Sequence, residues 1–261
     1  KMTLTDEGHY GPKQLNLLKT VWGEGFLSPG GSDEIDEIVK NVDAKNLCIL
    51  DIGCGCGGAA LHLVSHHNAS FVTGIDVEPL VIQRAKELAS KRGLADKTKF
   101  ELVSPGPIDF EDESIDMVFS KETFLHIPDK EKLFENIFRM LKPHGIIAAG
   151  DWMRVDDNPP SPQMKEYIKA EGLDMYMCSL ERYESILKNT GFKDIRIRDR
   201  NNWYLEKSKK EIIELRGPLY QAAIDAIGPE ETDGAIQIWE KLIGVLEIGE
   251  HRPGHFTAVK A

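Results

Sequence analysis

No apolar run in the sequence approaches the roughly 20 residues that span a bilayer, and no signal-peptide pattern opens it. Its four cysteines form no C-x-x-C pair and no disulfide framework, which excludes the common structural zinc spacings and a stapled secreted fold. Positive charge is short: 32 Lys and Arg stand against 43 Asp and Glu, for a net charge of −11. A nucleic-acid backbone or an anionic membrane needs a basic surface, so neither is expected as a partner. Repeats, low-complexity tracts and long linkers are also absent. The expectation is a cytoplasmic protein with reduced thiols, no metal and a small-molecule partner; Lys1, ahead of Met2, is set aside as foreign to the natural start.

What the chain does have is 41% hydrophobic residues in 261, enough for one sizeable core with appendages. The organising stretch is Leu47-Cys48-Ile49-Leu50-Asp51-Ile52-Gly53-Cys54-Gly55-Cys56-Gly57-Gly58. A short apolar run flanked by glycine reads as a buried strand feeding a tight turn, and Ala59 to Val64 can carry the helix that follows. Such a turn lets backbone N–H groups approach a polar ligand at a helix N-terminus. Gly53, Gly55 and Gly58 also satisfy the dinucleotide G-x-G-x-x-G spacing, with Asp76 at the end of a second strand as a ribose-binding acid. Asp51, two residues before the first glycine, favours S-adenosylmethionine instead, because that ligand brings a cationic amino-acid tail and no pyrophosphate.

Strands are expected at 70–76, 99–103, 115–120, 145–151, 193–198 and 255–260, with helices from Ser32, from Pro79 to Gly93, from Asp129 to Leu141 and from Ser179 to Thr190. Alternation at this spacing means a doubly wound, mainly parallel α/β sheet of Rossmann type. Residues 2–31 read as an N-terminal helical lid, with Leu15, Leu18 and Trp22 at helical spacing, and residues 32–261 as the main domain. Insertions are expected at 153–179, where Pro159, Pro160 and Pro162 break the pattern, and at 207–248, read as two helices broken at Gly228-Pro229. An insertion after a strand's carboxyl end is where open α/β sheets place substrate.

Leu50 to Gly57, Asp76, Asp116-Met117-Val118-Phe119-Ser120 and Leu141-Lys142-Pro143-His144-Gly145 together resemble a class I S-adenosylmethionine-dependent methyltransferase, over about residues 32 to 150. That resemblance implies a seven-stranded sheet and a cofactor site at Asp51, Gly53, Gly55, Asp76 and Val77, joined by Ser28, Ser104 and Lys121. At both chain ends, Tyr10, Trp22-Gly23-Glu24-Gly25-Phe26-Leu27-Ser28-Pro29-Gly30-Gly31, Phe124-Leu125-His126-Ile127 and Gly254-His255-Phe256-Thr257-Ala258 are similar to the small phosphoethanolamine and glycine-betaine-type N-methyltransferases. The resemblance implies that Tyr10 and His126 latch the lid and help deprotonate the substrate, with Glu122 facing the amine. The chain departs from the phosphobase pattern where an arginine and a lysine would hold a phosphate: Gly172 to Met177 and Leu242 stand there. It also lacks an acid for adenine after the third strand, where Val103-Ser104-Pro105-Gly106 stands.

From the residues alone, His126 is either a base or a cap for the helix opening at Asp129, and Glu122 either meets a cation or faces solvent. Trp22 and Trp152 either bound a cationic substrate or pack the core. Tyr176 and Asp151 are pocket candidates by position. The function expected is methyl transfer to a small acceptor, at an amine nitrogen. Carbon or oxygen methylation, cofactor binding without chemistry, and a nicotinamide oxidoreductase sharing the glycine turn are the alternatives.

Overall fold

The computed structural model describes residues 10–261. The part of the expected lid at 2–9 lies outside the described residues. The order is α1 (Pro12–Trp22), α2 (Gly31–Val39), β1 (Cys48–Ile52), α3 (Gly58–Ser65), β2 (Phe71–Asp76), α4 (Pro79–Lys91), β3 (Thr98–Leu102), β4 (Ile115–Lys121), a 3-10 turn (Phe124–His126), α5 (Lys130–Met140) and β5 (Leu141–Asp151). It continues with α6 (Pro162–Glu171), α7 (Leu180–Thr190), β6 (Phe192–Asp199), α8 (Asn201–Arg216), α9 (Tyr220–Ile227), α10 (Pro229–Glu247) and β7 (Gly254–Lys260). The seven strands lie in the order β3-β2-β1-β4-β5-β7-β6, parallel except for β7, which runs antiparallel to both neighbours.

Period-two alternation builds a core on each face of this sheet. Ile49, Met117 and Phe119 face the layer of α2, α3 and α4 with Ile35, Leu61 and Ala85, while Leu50, Ile52 and Val118 face α5 and α7 with Phe134, Ile137 and Tyr183. Asp36 ties α2 to α3 by accepting from Nε2 of His62 at 2.7 Å and of His67 at 2.6 Å. Helix starts follow side-chain caps: Asp129, Ser161 and Ser179 each accept from a first-turn backbone N–H.

Over the carboxyl ends of the parallel strands, α6, α8 and α10 form a cap around Met164, Tyr167, Tyr204, Leu242 and Val245. Helix α1 joins α8, α9 and α10 through Leu17, Ile212, Ala223 and Trp239. The region expected as two helices from 207 holds three. Helix α8 already begins at Asn201, whose backbone N–H is taken by Asp199 at 2.8 Å and whose buried amide donates to Leu246 and His251 carbonyls. It ends at Gly217-Pro218, where proline supplies no N–H to continue the ladder. The insertion at 153–179 contains α6, with Pro162 in its first turn, the place where proline is tolerated. Strand β5 starts at Leu141, four residues before the expected start, because the Lys142 to Gly145 turn is absorbed as an irregularity between the Ile115 and Met117 pairings.

Candidate active site

Strand β1 ends in Asp51-Ile52 and the chain turns at Gly53 with φ +74°, a left-handed conformation that glycine adopts without strain. Nothing larger fits: a Cβ at Gly53 would lie 1.9 Å from Oγ1 of Thr123. The turn is fastened to β2, with Gly53 and Cys54 N–H donating to the Ile75 carbonyl at 2.9 and 3.0 Å and Gly55 N–H to Oδ2 of Asp76 at 2.9 Å. Gly58 has a different use from the third glycine of a dinucleotide turn. Its N–H donates to the Gly25 carbonyl at 3.0 Å, and a Cβ there would meet that oxygen at 2.6 Å, so this glycine admits the backbone of residues 23–31.

That segment is fixed a second time by Lys121 at the end of β4, whose ammonium donates to the Ser28 hydroxyl and, at 3.0 Å, to the Pro29 carbonyl. Beneath it lies a cavity of ≈ 1690 Å³. Ser28, Asp51, Gly53, Gly55, Asp76, Val77, Ser104, Lys121, Tyr10, Trp22, Glu122, His126, Trp152 and Tyr176 all line it, whereas Asp151, expected as a pocket residue by position, does not: it is buried behind the wall, bonded to Leu125 and Tyr183.

Asp51 is 1% exposed and its Oδ2 has no hydrogen-bond partner among the described residues. Burial, with the Asp76 charge adding to it, pushes its pKa up to about 8. Asp76 is also raised by burial, although the Gly55 and Glu78 N–H groups oppose the shift. An orphaned buried carboxyl calls for a cation, and an acid at a strand end accepts from hydroxyls. The amino-acid tail and ribose of S-adenosylmethionine supply these two chemistries, so the residues present fit that cofactor.

His126 sits in the 3-10 turn, and its Nδ1 donates to the Asp174 carbonyl at 2.8 Å, leaving Nε2 as the acceptor. Burial outweighs the pull of that carbonyl and holds the imidazole below its ordinary pKa. Lys130 braces the turn through the Phe124 and Ile127 carbonyls at 2.9 and 2.7 Å. Buried Asp151 also braces it, accepting from Leu125 N–H at 3.3 Å and from the Tyr183 hydroxyl at 2.6 Å. The cap of α5 is Asp129 itself, so His126 is not needed for it. Burial first, then the charges of Asp76 and Glu171, raises the Tyr10 phenol well above its usual value, so it is protonated at neutral pH.

Glu122 has a left-handed backbone, φ +53°, and a side chain only 6% exposed. Oε1 accepts from the Tyr204 hydroxyl and lies 3.5 Å from the Lys121 ammonium, while Oε2 has no hydrogen-bond partner among the described residues. The two tryptophans differ. Trp22 donates to buried Glu211 at 2.9 Å, as Trp239 does at 3.0 Å, which joins α1 to α8 and α10. The Trp152 indole N–H is buried without a partner among the described residues. Tyr176 is 46% exposed, and its backbone N–H donates to the Leu125 carbonyl at 2.6 Å. Ser104 is exposed on the loop after β3.

Sequence reasoning did not single out Glu171, Tyr204 or Glu211. Glu171, the last residue of α6, lines the same cavity, and burial together with the Glu122 charge pushes it up to about 7. Its only sequence signal was an acid where a helix C-terminus prefers a base.

A family model described as a methyltransferase domain matches residues 43–171, and the seven-stranded sheet is the Rossmann-like fold of S-adenosylmethionine-dependent methyltransferases. The chain is similar to phosphoethanolamine N-methyltransferases. The protein of that name from Triticum aestivum is 32% identical over 256 residues, which cover 98% of this chain but 49% of that protein, so the chain spans about half its length. The one from Plasmodium falciparum (isolate 3D7) is 24% identical over 271 residues, covering 99% of this chain and 96% of that protein. The solved structure of Haemonchus contortus phosphoethanolamine N-methyltransferase 2, with phosphomonomethylethanolamine and S-adenosylhomocysteine, superposes with a TM-score of 0.90 at 26% identity. It covers all of this chain and 61% of that one.

Proposed function

We propose that the protein methylates the nitrogen of a small amine, using S-adenosylmethionine as methyl donor. The observation that carries this reading is a half-buried imidazole on the wall of the cavity that the glycine turn opens into, its Nδ1 donating to the Asp174 carbonyl and its Nε2 left as the acceptor. When bound, the cofactor supplies a methyl group activated on a sulfonium. The chain has to hold a lone pair in line with it, about 3 Å away, and keep water out.

Asp51 pairs with the cofactor's ammonium and Asp76 with its ribose hydroxyls, while the Gly55 region, Val77, Ser28, Lys121 and Ser104 complete the cofactor wall. Of the expected lid, residues 10–31 close over the cofactor, for which the bonds from Lys121 to Ser28 and from Gly58 to Gly25 are the support. Glu122 receives the substrate ammonium, and Trp22, Trp152 and Tyr176 bound it. His126 Nε2 takes the proton that the ammonium must lose before it can attack, and Tyr10 donates a hydrogen bond as a neutral phenol. Lys130, Asp151 and Tyr183 position the His126 turn. Among the described residues no helix is long and apolar enough to cross a membrane, and the four cysteines are free; a cytoplasmic placement is part of this reading.

The test is label transfer from methyl-labelled S-adenosylmethionine to an amine panel, with His126→Ala alongside. Transfer that falls on His126→Ala while cofactor binding persists supports the reading; label appearing on carbon or oxygen acceptors alone would sink it.

A further inference from the structure

The charge of the cavity wall bears on which amine the site accepts, an inference that rests on the methyltransferase reading. Eleven of the lining side chains are carboxylic acids and three, Lys121, Lys132 and Arg139, are cations. Lys121 is spent on Ser28 and Pro29. Arg139 is spent on the Phe110 carbonyl at 2.8 Å, on Asn136 at 2.7 Å and on Asp112, where it holds the loop after β3. All three cations stand on β4 or α5. The opposite wall, built by α6, the segment after it and α10, contributes Glu171, Asp174 and Glu231 with apolar Ile238, Trp239 and Leu242, and no lysine or arginine among its described residues.

Glu122, just past β4, and Glu171, at the end of α6, line the same cavity. Glu122 keeps one buried oxygen without a hydrogen-bond partner among the described residues. Glu171 is close enough for the Glu122 charge to act on it, and Tyr167 and Tyr10 stand beside it, feeling its charge. Between Glu122 and Glu171 a phosphate dianion would meet two carboxyls and, among the described residues of the wall made by α6 and α10, no lysine or arginine, whereas phosphate recognition uses charge-assisted bonds from Arg or Lys. A second ammonium meets the reverse: burial and mutual repulsion make each carboxylate favour a positive neighbour.

We propose that the acceptor is an unphosphorylated amine carrying a second positive charge, a short aliphatic diamine, with Glu122 at the methylated end and Glu171 at the other, and that Glu171 decides against phosphorylated amines.

The experiment measures kcat/KM by label transfer for 1,3-diaminopropane, 1,4-diaminobutane, ethanolamine and phosphoethanolamine, with cofactor affinity followed by calorimetry. The expected order puts a diamine at least tenfold above ethanolamine and phosphoethanolamine last. Glu171→Gln should raise the diamine KM tenfold or more, leaving kcat and cofactor affinity within about twofold. The diamine KM of the unsubstituted protein should fall as pH rises through about 7, where Glu171 ionises, and Glu171→Gln should lose that pH step. Glu171→Arg should reverse the preference towards phosphoethanolamine. Phosphoethanolamine used better than the diamines overturns this inference and leaves amine methylation standing. So does a diamine KM that ignores Glu171→Gln. No transfer to any amine, with cofactor still bound, overturns amine methylation itself and this inference with it.

Discussion

Binding of S-adenosylmethionine should depend on pH through Asp51. In the ligand-free protein this buried carboxyl has a pKa of about 8 and an oxygen without a hydrogen-bond partner among the described residues. At pH 5.5 it is therefore about 0.3% ionised and at pH 7 about 9%. The cofactor's ammonium binds the ionised form, so affinity should rise about thirtyfold over that interval, or about 2 kcal/mol at 1.36 kcal/mol per pH unit. Titration calorimetry in two buffers of different ionisation enthalpy should find close to one proton released per cofactor bound near pH 6.5. The sign for stability is opposite. A carboxyl raised by folding contributes fully below its unfolded pKa of about 3.9 and loses that contribution as pH rises through about 8. The increase in Tm on adding cofactor should accordingly grow from pH 5.5 to 7. Asp51→Asn, which cannot ionise, should flatten both curves. A flat affinity profile with no proton release in the unsubstituted protein would refute the pairing of Asp51 with the ammonium.

Three further substitutions have defined outcomes. Gly53→Ala drives a methyl group into Thr123 at a left-handed backbone position; it should weaken cofactor binding more than tenfold and cost about 1–3 kcal/mol in urea unfolding. His126→Ala should lower kcat by roughly 10²–10⁴ with cofactor affinity within twofold. In the unsubstituted enzyme, kcat should hold on the acid side to below the ordinary histidine pKa of about 6.5, because burial depresses His126. Glu211→Leu leaves the indole N–H groups of Trp22 and Trp239 without their acceptor; a loss of about 2–4 kcal/mol, seen by tryptophan fluorescence during denaturation, is expected.

The parts of this fold that are written locally could be read from the sequence. The short apolar runs in Cys48–Ile52 and Ile115–Lys121 and the glycines after Asp51 carry their signals within a few residues. Strand β5 was shortened because Pro143 and Gly145 punctuate like a loop, yet Leu141 pairs with Ile115 across a bulge. The start of α8 lay hidden in the polar run Asp199-Arg200-Asn201-Asn202, whose helix is fixed by contacts to Leu246 and His251 some 45 to 50 residues away. The same limit applies to the site. Glu171, Glu211 and Tyr204 acquire meaning only when α6, α8 and α10 close over the sheet, and a single acid on a helix gives no sign that it will face another across a cavity.

The most direct test of the account is the rate at which S-adenosylhomocysteine forms from bound S-adenosylmethionine with and without an unphosphorylated amine, the amine product being identified by mass. The account predicts amine-dependent turnover that His126→Ala suppresses, with each added methyl group on nitrogen. Tight cofactor binding with the same slow background whether or not an amine is present would contradict it.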